Sequence, residues 1–248
     1  INMKLKSTTV KTEEQWRDTL ITDKHWKDGH SAKELASYIL DGNEGNGEMP
    51  RELKSAIEST GIKNQDYKWK PEHETRFGNG FGSGYGRNHD LALWGDDTFI
   101  GIEAKVNEDF DNNKVRDWIV KKNSEGSVKN RTNRINAMCK LIFGEEYNNN
   151  KDYFGELRYQ LFSALTGVVK EAKKSGKKNA ILIIITFDKK DKDGKRVLND
   201  ISYNENKKDF ESFITKIEKS EDYKATGRVS LKDETEINVF IKVIPAIK

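Results

Sequence analysis

The chain has one cysteine, Cys139, among 248 residues. A single thiol excludes an internal disulfide and a cysteine-based zinc site, and it fits a reducing, cytoplasmic setting. Nowhere do about 18 apolar residues run together, so no membrane span is expected. No signal-peptide pattern opens the chain, and Ile1-Asn2 reads as a short remnant ahead of a natural start at Met3. Excess charge of one sign is also lacking. The 44 Lys and Arg against 41 Asp and Glu leave a net charge of +3. That balance does not by itself point to nucleic acid, so local clustering has to decide. Hydrophobic and charged residues each make up 34%, which sets a modest core under a heavily charged surface.

Several ligand motifs are absent too. Residues 77–86 alternate glycine with other residues, but no Gly-Lys-Ser/Thr follows and no helix-opening dinucleotide fingerprint is present. The stretch is either a flexible connector or a backbone that must approach something closely. Asp191-Lys192-Asp193-Gly194 resembles a calcium loop only in part. Its first position would be Lys189 and its twelfth Asp200, which fails the ligand pattern.

What the sequence does have is a hairpin. Residues Asn88–Trp94 lead into a turn at Gly95-Asp96-Asp97, and Thr98–Val106 follow. Along the second arm Ile100, Ile102, Ala104 and Val106 share one face, with Phe99, Gly101, Glu103 and Lys105 on the other. A two-residue loop at Asp96-Asp97 makes positions summing to 193 face one another, so Asp90 lies opposite Glu103. Two acids and a lysine then converge. Adjacent carboxylates raise each other's pKa unless a cation sits between them. Oxygen ligands suit Mg²⁺, and a neighbouring lysine can orient or deprotonate a water. The alternative is a solvated strand face with a cross-strand ion pair. The apolar neighbours Leu91, Leu93, Ile100 and Ile102 argue against it, because they indicate a central strand.

At these residues the chain resembles the PD-(D/E)xK nuclease superfamily, with its restriction-endonuclease-like fold. Asp90 matches the first acid and Glu103-Ala104-Lys105 the second half of the motif, while His89 stands where the superfamily has proline. The likeness extends over roughly residues 30 to 190 in element order. It implies a single α/β domain over residues 1–248 with a mixed central β-sheet flanked by helices. The implied activity is Mg²⁺-dependent cleavage of DNA, with Mn²⁺ as a substitute and RNA not excluded. The metal would be held by Asp90, Glu103 and the Ala104 carbonyl. Glu34, on a helix before the hairpin, is a further ligand candidate, although Ser31-x-x-Glu34 is equally a capping box. Gln160 and Arg158, on a helix after the hairpin, are candidates for pointing at the site. A role in host defence and a homodimer also follow from the likeness alone.

The remaining chain supplies helices and one buried strand. Ala32, Leu35, Ala36 and Ile39 form a helix face, and Pro50 opens a second helix through Ile62. Tyr67–Pro71, aromatic and basic, is either a strand with a tucked tryptophan or a nucleic-acid contact. Arg76 and Arg87 flank the glycine stretch and are candidates for phosphate pairing. His25 and His30 read as loop residues. Lys114–Val120 and Ile135–Phe143 read as helices, with residues 121–134 as a basic loop between them. Residues 155–172 give the longest helical pattern. Ala180–Phe187 reads as a buried central strand joined by a crossover, hence parallel to the hairpin. Asp209–Lys219 and Glu236–Ile244 read as a last helix and strand.

Overall fold

The computed structural model describes the chain except residues 1–2, 8–9, 23–25, 42–46, 79, 82–85, 107–109, 111–112, 122–124, 189–199, 218–227, 230, 232–235 and 248. His25, part of the glycine stretch, and the partial calcium loop therefore lie outside the described residues.

The protein is α/β, with one seven-stranded mixed sheet in the order β1-β2-β3-β4-β5-β7-β6. The strands are β1 (Leu5–Ser7), β2 (Tyr67–Thr75), β3 (Arg87–Trp94), β4 (Thr98–Lys105), β5 (Asn179–Phe187), β6 (Arg228–Val229) and β7 (Asn238–Ile247). The hairpin β3–β4 has the register that the turn predicts: Leu91 faces Ile102, and Trp94 faces Phe99. β5 pairs parallel to β4, and β7 parallel to β5. β5 is buried along nearly its whole length. A strand covered on both faces needs such a continuous apolar run.

Helices cover both faces. On one face lie α1 (Glu13–Arg17), α2 (Ser31–Asp41) and α3 (Arg51–Glu58), whose Trp16, Leu35, Ile39 and Leu53 pack with Ile100, Ile102 and Ala104. On the other lie α4 (Val115–Val120), α5 (Glu125–Phe143), α6 (Lys151–Gly155), α7 (Tyr159–Lys174) and α8 (Asp200–Ile217). There Leu161, Val168 and Phe213 pack with Ala92, Phe99 and Ile184. The two arms of period-two alternation in β4 thus feed two separate cores.

Two expectations change, and one open alternative is decided. The basic segment read as a loop belongs to α5, which begins at Glu125. The cause is aromatic: Arg131 lies 4.5 Å from the Trp118 ring centroid and Arg134 4.4 Å from that of Phe77. Guanidinium groups held against rings anchor the segment to the core, as a solvated loop would not be. Trp69 is likewise tucked in, 5.3 Å from the Trp16 ring, so it is part of β2 and not a nucleic-acid contact. The last long helix starts nine residues earlier than its apolar pattern suggested, at Asp200.

Candidate active site

Hydrogen bonding between β3 and β4 runs down to Leu91 and Ile102. Asp90 and Glu103 come next in that register. At this step the Asp90 side chain takes over from the backbone, its Oδ2 accepting from the Ala104 amide at 2.7 Å. Glu103 and Lys105 lie two residues apart on the same arm and are both buried. Burial, followed by the Glu103 charge, pushes the Asp90 carboxyl up to about 7, against the pull of Lys105 and the Ala104 amide.

A third carboxylate joins them that sequence reasoning missed. Glu72 sits in β2 between Pro71, which faces Leu91, and His73, which faces His89. It therefore falls opposite Asp90. Its φ of +48° makes it the one non-glycine residue with positive φ among the described residues. Such a backbone is strained, costing on the order of 1–3 kcal/mol, and strain of this kind gathers at functional sites. Burial and then the Asp90 charge raise the Glu72 carboxyl to about 8. The Asn88 amide donates to its Oε2 at 2.5 Å. The sequence signal was faint: an acid directly after Pro71, in a segment whose strand pairing depends on residues far along the chain.

Glu103 is held from two sides. Arg87 donates to both of its oxygens, from Nε to Oε1 at 3.1 Å and from Nη2 to Oε2. His89 Nδ1 lies 3.5 Å from Oε1. Burial pushes Glu103 up, but Arg87 and His89 outweigh it and keep the carboxyl below its ordinary range. Burial holds His89 below the usual imidazole value. The His89 ring fits only because two glycines leave room. A Cβ on Gly101 would meet His89 Nδ1 at 2.8 Å, and one on Gly167 would meet the ring at 2.8 Å.

The other sequence candidates fall elsewhere. Arg87, expected to pair with phosphate, is spent on Glu103. Arg76 is largely exposed, with Nε 3.7 Å from Glu74 Oε2. Arg158 joins α7 to α8 through Asp209 at 2.8 Å. Glu34 does not join the acids. Its helix covers the opposite face of the sheet, and its Oε1 accepts from the Gly29 amide at 3.0 Å. That is a cap two residues earlier than the Ser31 capping box. Gln160 opens α7 beside Tyr159, whose hydroxyl senses the Arg87 charge. Its buried Oε1 has no hydrogen-bond partner among the described residues. A buried acceptor left unpaired is costly and suits a donor brought in by a ligand or water.

Among the described residues no three His, Cys, Asp or Glu side chains converge with metal-ligating geometry. The donor chemistry at hand is hard oxygen: Asp90, Glu103 and the Ala104 carbonyl, with Glu72 adjacent. That set suits Mg²⁺, which keeps several waters and takes one or two carboxylates rather than a closed protein cage. A cation placed between crowded acids such as Asp90 and Glu72 would offset their mutual repulsion.

Comparison with known proteins adds a family and no activity. No curated protein and no solved structure matches the chain. Residues 9–246 match the family model described as Domain of unknown function (DUF6946). The match spans nearly the whole sequence, and the chain belongs to the DUF6946 family.

Proposed function

We propose that this protein is a Mg²⁺-dependent phosphodiesterase of the restriction-endonuclease-like type, acting on DNA. The observation that carries the reading is the convergence of Asp90, Glu103 and buried Lys105 at the end of the β3–β4 ladder, with strained Glu72 beside them. Asp90, Glu103 and the Ala104 carbonyl would hold the metal. Bound there, Mg²⁺ (or Mn²⁺) would neutralise phosphate charge and lower the pKa of a water ligand. Lys105 then orients the attacking water or stabilises the negative charge that builds up on the phosphate. Gln160 offers its unpaired carbonyl to that water or to Lys105. Arg87 and His89 position Glu103 without touching substrate. A defence role and a homodimer belong to the same proposal through the family likeness.

The Arg87–Glu103 pair favours a second reading. A guanidinium already neutralises Glu103, as in a module of this fold that binds nucleic acid without cutting it, or that cuts only after an effector draws Arg87 away. Incubating plasmid DNA and single-stranded RNA with Mg²⁺ or Mn²⁺ separates the readings. The nuclease reading expects cutting by wild type that Asp90→Ala and Lys105→Ala abolish, with the choice of polymer naming the substrate. Binding without cutting supports the module. Cutting that survives both substitutions overturns the site.

A further inference from the structure

Lys105 faces two ways. Its charge bears on Asp90, and its side chain also lines a cavity of about 340 Å³. The cavity opens where β4, β5 and β7, all parallel, reach their carboxyl ends beneath α8. Ligands of parallel α/β sheets bind at that end of the strands. The volume lies at the lower limit of ordinary small-ligand pockets, roughly 300–1,000 Å³.

The lining is largely apolar: Phe210 is the partly exposed aromatic, Phe110 and Phe187 are buried beneath it, and Val243 adds an exposed aliphatic edge. Lys105 Nζ lies 5.7 Å from the Phe110 ring centroid, so the ammonium borders the aromatic wall directly. Lys207 adds a second cation at the rim, where it lies 3.9 Å from Glu211 with both side chains largely exposed. Aromatic walls with cations at the mouth suit a planar ring carrying an anionic group. Every nucleobase offers a face for such stacking, whatever the sequence.

We infer that this cavity is a nucleotide site, taking the base of one nucleotide against Phe210 with its phosphate at Lys105. The inference rests on the nuclease reading and narrows it. A base seated here has left any duplex, so the substrate is single-stranded or has an unpaired or flipped residue next to the bond that is cut. The same chemistry could come from a free nucleotide acting as an effector.

The test has a binding arm and a cleavage arm. Calorimetry compares deoxyadenosine monophosphate, deoxyribose 5-phosphate and inorganic phosphate on wild type, Val243→Trp and Phe210→Ala. Val243→Trp fills the cavity from its exposed edge and leaves the core residues in place. The inference expects the nucleotide to bind at least tenfold more tightly than the two base-free probes, and Val243→Trp to remove that difference. Equal affinity for all three probes on wild type overturns it. In the second arm, single-stranded oligonucleotides carrying one abasic residue are cut by wild type. Cleavage next to the abasic position should fall on the order of tenfold or more, and free nucleotide should inhibit. Stimulation by free nucleotide instead assigns the site to an effector and still supports it. Cleavage indifferent to abasic residues, to free nucleotide and to Val243→Trp overturns the cavity while leaving the nuclease reading intact. Nucleotide binding by a protein that cuts nothing does the reverse.

Discussion

Asp90 and Glu72 carry protons that ordinary carboxyls would have lost, because each is buried beside the charge of another acid. Their native values, about 7 and about 8, lie above those of an unfolded chain. Between the ordinary carboxylate range and pH 8 the native state therefore binds more protons than the unfolded state, and stability falls as pH rises. Thermal melts without divalent cation should show Tm declining from about pH 5 to about pH 8.5. Mg²⁺ or Mn²⁺ must displace those protons, so the stabilisation it brings should grow over the same rise. Asp90→Asn should flatten both trends. Melts of wild type and variant at three pH values, with and without Mn²⁺, check this, and a cation effect independent of pH would contradict it.

Arg87 makes a second prediction at the same scale. Removing one partner of a buried ion pair costs about 3–5 kcal/mol, because the other charge stays buried and uncompensated. Arg87→Met should lose about that much in urea unfolding, and Mn²⁺ should recover part of it by taking over Glu103. If the loss occurs with no recovery, the guanidinium does not stand in for a cation, and the reading as a binding module gains.

Among the elements, β4 and α7 are joined at His89. Gly101 belongs to the strand and Gly167 to the helix, and a Cβ on either would press on the imidazole. Gly167→Ala gains about 1 kcal/mol in helix propensity. A contact of 2.8 Å to a fully buried ring costs typically 1–3 kcal/mol, so net destabilisation is the expected sign. Gly101→Ala, which meets Val168 as well at 2.5 Å, should lose more. Both should also weaken Mn²⁺ affinity by displacing His89 from Glu103, whereas Gly126→Ala, in open space on α5, should leave affinity unchanged. Denaturation and metal titration on the three variants give the comparison.

The same two elements show what was legible in the sequence. Alternation along 98–106 fixed the strand and its faces, and a tight turn at Asp96-Asp97 fixed the register, because both signals are local. The β-branched run at 180–187 announced a doubly covered strand for the same reason. What was hidden depends on contacts far apart in sequence. Glu72 meets Asp90 only after β2 has paired antiparallel to β3 around the glycine stretch. Arg87 reaches Glu103 across 16 residues. Glu34 is the opposite case: of its two readings the local one, a cap to α2, is the one its contact with Gly29 fits, whereas the ligand role came from likeness to a superfamily.

At the scale of the whole molecule, no described helix is long and apolar enough to cross a membrane, and the net charge of +3 lends little general attraction to a polyanion. The proposed binding of DNA or RNA therefore has to come from a few placed cations. Its affinity should fall with salt on a shallow slope, corresponding to few displaced counterions. Fluorescence anisotropy at several salt concentrations measures that slope, and a steep one would mean a broad basic contact surface instead. The divalent-cation site proposed for the acids at the end of β3–β4 can be tested apart from any substrate. Cleavage can fail for want of the right polymer or effector, whereas cation affinity does not depend on either. Calorimetric titration of Mn²⁺ into wild type and Asp90→Asn at pH 8 is therefore the most direct measurement. Saturable binding to wild type that weakens at least tenfold in the variant is expected of a metal site there, and either no binding to wild type or equal binding to both would contradict it.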